Sequence, residues 1–154
     1  MQSVNVNDLE LQEVASAVDP TVLTRFTFPV YAATGAASTA VVYFELEPGN
    51  RLATHHDSPE EVLYIVQGEA IATVGDESAQ VRAGDLAVIP AWVPHGIENT
   101  GRETLRVIGF FGASNVASLF TEPVFVGDSA LAVLHTSDGG ALYAANDLQP
   151  AGVA

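Results

Sequence analysis

Hydrophobic spacing changes character near residue 20. Between residues 7 and 18, Leu11, Val14, Ala15 and Val18 recur at helical intervals, with Asn7 placed as an N-cap and Glu10 three positions on. That pattern predicts one short N-terminal helix, stopped by Asp19-Pro20. Beyond it, short apolar runs rich in Val, Ile, Tyr and Phe are punctuated by turn residues, which is the pattern of an all-β fold. Predicted strands cover Val22 to Phe28, Ala40 to Glu47, Glu61 to Gln67, Ala70 to Val74 and Ala79 to Arg82. Further strands cover Asp85 to Ile89, Ile97 to Asn99, Thr104 to Phe111 and Ser129 to His135. Residues 112 to 127 read as irregular, broken at Thr121-Glu122-Pro123, and Asn146 to Ala154 reads as a loosely held tail.

Two of these strands, Glu61 to Val66 and Leu105 to Phe111, are apolar on both faces. One face would line a core, and the other then needs a cover from a terminal segment or a second subunit. The expectation is a homodimer, the commonest soluble assembly. The strand from Ser129 either returns to its own sheet or crosses to that partner.

Composition narrows the class. The 154 residues suit one domain, and 48% hydrophobic against 16% charged residues excludes a disordered chain. Nineteen acidic residues against five basic ones give a formal charge of −14, which argues against nucleic acid and anionic membranes as partners. With no cysteine there is no disulfide, thiolate nucleophile or zinc-thiolate site. The first residues are polar and acidic, without the basic and apolar regions of a signal peptide, so the expected location is cytoplasmic.

The candidate chemistry lies in two blocks. The first runs Gly49, five residues, His55, one residue, Asp57, three residues, Glu61, six residues, Gly68. The second runs Gly84, five residues, Pro90, then His95 and Asn99. On an extended segment His55 and Asp57 point to one side and His56 to the other. Two imidazoles and two carboxylates on or beside strands can converge on one cation.

These blocks resemble the paired motifs of the cupin superfamily, G-x5-H-x-H-x3/4-E-x6-G and G-x5-P-x-G-x2-H-x3-N. Asp57 stands where the family usually has its second histidine, and Trp92 where it usually has glycine. The resemblance implies a single-domain jelly-roll β-barrel over residues 21–127, after an N-terminal helical segment (1–20) and before a C-terminal strand and tail (128–154). It implies metal ligation by His55, Glu61 and His95, with Asp57 either a fourth ligand or an acceptor that orients His55. A register using His56 would shorten the gap after Gly49, and the intact gap favours His55. The implied cofactor is a divalent first-row transition metal, Fe(II) or Mn(II) ahead of Ni or Zn. Trp92 and one of the pair Phe110 and Phe111, with Phe110 taken first, are candidates for the pocket mouth. Arg106 would hold a substrate carboxylate if it points inward and otherwise forms a surface or interface ion pair, and His135 is a candidate for a structural role.

Three functions for a small-molecule site follow, in this order. The first is a dioxygenase-type oxidoreductase. The second is a non-redox lyase, isomerase or cyclase in which a pocket carboxylate moves a proton. The third is a non-catalytic binder with the metal as an anchor.

Overall fold

The computed structural model describes residues 1–148. In chain order the first strands are β1 (Gln12–Ala15), β2 (Leu23–Val30), β3 (Ala40–Leu46), β4 (Arg51–Asp57) and β5 (Glu61–Gln67). Then come β6 (Glu69–Val74), β7 (Glu77–Arg82), β8 (Leu86–Ile89) and β9 (His95–Asn99). The last four are β10 (Leu105–Phe111), β11 (Val116–Val124), β12 (Ala130–Thr136) and β13 (Gly139–Tyr143). One sheet runs β1-β2-β3-β10-β5-β8 and the other β13-β12-β11-β4-β9-β6-β7, each with antiparallel neighbours. The two sheets face one another as the expected all-β jelly roll.

Alternation along the strands builds the core. In β3, β5 and β10 the inward set Val42, Phe44, Leu46, Leu63, Ile65, Leu105 and Val107 is buried. Each such side chain contributes about 1.5–3 kcal/mol on removal from water. The turn between β5 and β6 depends on Gly68, whose φ is +94°. A Cβ there would lie 3.1 Å from the Cα of Leu105, so both the backbone angle and the space demand glycine.

The N-terminal helix does not form. A 3-10 turn at Val6–Asp8, capped by the Asn5 side chain, is followed by β1, which pairs with β2. A twelve-residue amphipathic segment is marginal as a helix without a packed face, whereas a strand gains backbone partners from the sheet edge and still buries Val14. Val18, counted on the helix's apolar face, is exposed.

The stretch 112–127 is likewise more ordered than its composition suggests, because β11 lies within it between β4 and β12. Its pairing with β12 breaks between Leu119 and Val124, around Thr121-Glu122-Pro123. Proline is accommodated at such an irregularity. The strand from Ala130 returns to its own sheet, and β13 extends that sheet by one further strand. The tail expected to be loosely held lies outside the described residues beyond Leu148. Among the described residues no helix is long and apolar enough to cross a membrane.

Candidate metal centre

Two adjacent strands of one sheet and one strand of the other bring the four motif residues to the barrel interior. On β4, His55 and Asp57 are buried and face inward, while His56 points away with its Nδ1 3.0 Å from the Trp92 carbonyl. β9 places His95 directly opposite His55 in the β4–β9 register, with the ring centroids 4.2 Å apart. From the facing sheet, β5 contributes Glu61, also buried.

The hydrogen bonds fix which ring nitrogens face the centre. His55 Nδ1 lies 2.8 Å from the Ala53 carbonyl, and His95 Nδ1 lies 3.0 Å from that of Val93. A carbonyl only accepts, so Nδ1 carries the hydrogen and the Nε2 lone pair of each neutral ring is left free. Both Nε2 atoms are aimed at Asp57 Oδ2, at 3.3 Å from His55 and 3.2 Å from His95. His95 Nε2 is buried with no hydrogen-bond partner, and it also lies 3.6 Å from Glu61 Oε2. Lone pairs and a carboxylate oxygen converging in a buried space repel one another unless a cation lies among them. This donor set fits a divalent metal.

His55, Asp57 and His95 form the tight cluster, with one donor atom of each within 4.8 Å of the others. Glu61 stands at its border. Burial opposes ionisation of Asp57, but the charge and hydrogen bonds of the two histidines in their protonated form outweigh that and hold its carboxyl well below the usual range. Burial, followed by the negative charge of Asp57, pushes Glu61 well above it. For His55 burial disfavours the charged ring, yet Asp57 and the Ala53 carbonyl together raise its pKa. Glu61 reaches its place because β10 presents Gly109 beside it. A Cβ at Gly109 would lie within 2.7 Å of Val42 Cγ1 and closer still to Glu61 Oε1.

Two contributors from β11 were hidden in the stretch read as irregular. Ser118 is buried and its hydroxyl donates to Asp57 Oδ1 at 2.5 Å, which turns Oδ2 toward the histidines. Phe120 stacks on His55 with a 5.1 Å centroid separation. Above the cluster is a cavity leaving about 60 Å³ in which the centres of water-sized molecules can move, enough for a few waters or one compact ligand. Its aromatic wall comprises Phe26, Phe28, Phe44, Phe111, Phe120 and Phe125.

The three residues expected around a substrate lie elsewhere. Arg106 sits on the outer face of β10, where Nε donates to the Tyr43 hydroxyl at 2.6 Å and Nη2 to Asn7 Oδ1 at 2.7 Å. Phe110 faces outward with 44% of its surface exposed, and its neighbour Phe111 lines the cavity instead. Trp92 is 52% exposed beside β4, and its N–H donates to the Asp57 carbonyl at 2.8 Å. Its φ is +62°, so the backbone keeps the left-handed shape suited to the glycine it replaces. Asn99, the last motif residue, serves the fold: its amide donates to the Leu46 and Glu103 carbonyls and accepts from the Gly101 N–H.

A two-sheet jelly roll with histidines and a carboxylate inside defines a class of barrel, and the family follows from it. Residues 42–111 match the family model described as a cupin domain, and the chain belongs to the cupin superfamily. Over 61 residues it is 36% identical to an uncharacterised protein of Methanocaldococcus jannaschii, covering 39% of this chain and 49% of that one. Over 65 residues it is 31% identical to an oxalate-binding protein of Thermotoga maritima, covering 42% of this chain and 54% of that one. These matches thus span about half the length of either relative. A solved oxalate decarboxylase of Lactobacillus farciminis, in its formate complex, superposes with a TM-score of 0.65 at 24% identity. That superposition covers 75% of this chain and 34% of the other, and it speaks for the fold.

Proposed function

We propose that this cupin is a metal-dependent enzyme acting on a small chelating organic molecule, a dioxygenase-type oxidoreductase with Fe(II) or Mn(II). The observation that carries the metal is the pair of imidazoles locked by backbone carbonyls, with both Nε2 atoms turned on Asp57 Oδ2. Two histidines and one carboxylate leave several coordination positions open. When bound, the metal supplies adjacent sites for a chelating substrate and for O2.

The chain's own residues do the rest. Ser118 fixes the carboxylate, the phenylalanines exclude water, and Glu61 stands ready either to complete the ligand set or to hold a proton at Oε2. Redox chemistry is favoured over proton-transfer chemistry by what the wall lacks. Among the described lining residues the only titratable side chains are His55, Asp57 and His95 of the cluster and Glu61 at its border. If Glu61 ligates, no separate acid or base remains to shuttle a proton.

A second reading, a non-catalytic binder, is favoured by the match to an oxalate-binding protein. One experiment orders the two. Protein loaded anaerobically with Fe(II) or Mn(II) is given a panel of chelating phenols and oxo acids, and O2 uptake is followed. Turnover that disappears in His55→Ala and His95→Ala supports the enzyme. Ligand binding at the metal with no turnover and no O2 uptake across the panel moves the binder into first place. Stoichiometric metal retained by both variants removes the metal assignment itself.

A further inference from the structure

The oxalate proteins among the relatives invite the idea that this cavity also takes a small dicarboxylate, and its wall argues otherwise. The sequence has five basic residues, all arginine, and none of them lines the cavity. Arg25 pairs with Glu45 and Glu47, Arg51 with Asp19 and Glu122, and Arg106 lies on the outer face with Tyr43 and Asn7. Hydrogen-bond donors are equally scarce. Of the two hydroxyls in the lining, Ser118 donates to Asp57 and Thr24 to the Arg51 carbonyl.

An oxalate dianion chelating a metal through two oxygens leaves two more facing away from it. In this cavity those two would meet phenylalanine rings, with no cation and no free hydroxyl among the described residues. A charged oxygen buried without a donor is strongly disfavoured. The same wall suits an aromatic body. Phe120 already lies along one face of the His55 ring, and Phe28 and Phe111 stack in parallel 5.7 Å apart across the cavity lining.

We infer that the site selects a compact aromatic ligand bearing two adjacent oxygens, such as a catechol-type diol, and rejects oxalate and other small dicarboxylates. The oxygens meet the cluster and the ring meets the phenylalanines, so no polar atom of the ligand is left facing carbon. This rests on the metal-centre reading, and the test separates the two.

Protein is first loaded with Co(II), whose visible bands report ligand exchange, and metal content is measured. It is then titrated anaerobically with 4-methylcatechol and, separately, with oxalate. The expected result is a catechol-induced band shift that saturates at a concentration about tenfold or more below any effect of oxalate. Phe120→Leu should retain Co(II) while weakening catechol about fivefold, the scale of one lost aromatic pairing. Oxalate shifting the bands at equal or lower concentration than catechol overturns the inference, as does a Co(II) protein that answers to neither. Failure to bind Co(II) at all overturns the metal reading and this inference together, and it is seen before any ligand is added.

Discussion

Ser118 shows how much of the site rests on a single hydroxyl. Asp57 has two oxygens, and only one of them faces the histidines. The hydroxyl of Ser118 on Oδ1 decides which, and it leaves Oδ2 in line with both Nε2 atoms. Ser118→Ala should therefore free the carboxylate to rotate and leave Oδ1 buried without its donor. Loss of such an orienting bond typically weakens metal binding by about 10- to 100-fold. Titration with Mn(II) against a competing chelator measures it, and an unchanged affinity would show that Ser118 only packs. His135 is a second residue whose chemistry is set by surroundings. It is buried, stacked on Phe28 at 3.7 Å, and its Nδ1 has no partner. Burial lowers its pKa to about 4, against a small opposing effect of Asp57. Below the ordinary histidine value of about 6.5 the unfolded chain takes up a proton that the folded one refuses. Stability should thus fall as pH drops from about 6.5 to about 4, by about 3 kcal/mol from this residue. Glu61, with its raised pKa, acts in the opposite sense and loses stability as pH rises. The slope belonging to His135 is isolated by comparing urea unfolding of the wild type and His135→Phe across that window, where the variant's curve should be flatter.

At the scale of the strand, which face a residue occupies decides its role. β10 alternates Leu105, Val107, Gly109 and Phe111 inward with Arg106, Ile108 and Phe110 outward. Since both sets are largely apolar, the sequence does not reveal the parity, and a one-residue slip exchanges the faces. This is why the sequence leaves Arg106 open between an inward and a surface role and does not tell which of Phe110 and Phe111 meets the pocket. Gly109 held the missing signal, because a glycine inside an apolar strand marks a close approach. What approaches is Glu61, and Gly109→Ala should displace it. The expected outcome is a lowered melting temperature together with weakened metal retention. An alanine variant as stable as the wild type, with its metal site intact, would mean that the barrel yields at little cost. On β4, by contrast, polar side chains alternate with the rest, so the placing of His55 and Asp57 inward and His56 outward was legible. The same holds for His95, fixed by the turn after Pro90. β11 was hidden because its Gly-Ala-Ser-Asn approach and its Thr-Glu-Pro break both carry turn composition, and Ser118 and Phe120 were hidden with it. The N-terminal segment failed for another reason: four apolar residues at helical spacing in a short window do not outweigh the backbone partners that β2 offers.

For the whole molecule, the outer face of β10-β5-β8 remains to be explained. Across these strands Phe110, Val62 and Val88 form one row, with Val62 in the middle, and Ile108, Tyr64 and Leu86 form another, with Tyr64 in the middle. Leu86 is 68% exposed, Val88 59%, Phe110 44% and Tyr64 37%, so the face is open rather than covered by the described parts of the chain. None of the six carries a charge, on a chain whose formal charge is −14. Charge is therefore kept off this patch while the rest of the surface is strongly acidic. We propose that a second copy covers it. A two-fold pairing sets the same uncharged patch against itself and keeps the acidic surfaces at the rim, where solvent screens them. The exposed side chains offer on the order of 500 Å² per copy, and the pair together reaches the roughly 1,000 Å² that a specific interface requires. Light scattering should return the mass of two chains. Val88→Glu places a buried carboxylate opposite its own symmetry mate, and it should return one chain while metal retention is unchanged, since Val88 faces away from the cavity's cluster. A wild-type monomer at micromolar concentration and above would sink the idea, as would a Val88→Glu protein that stays dimeric.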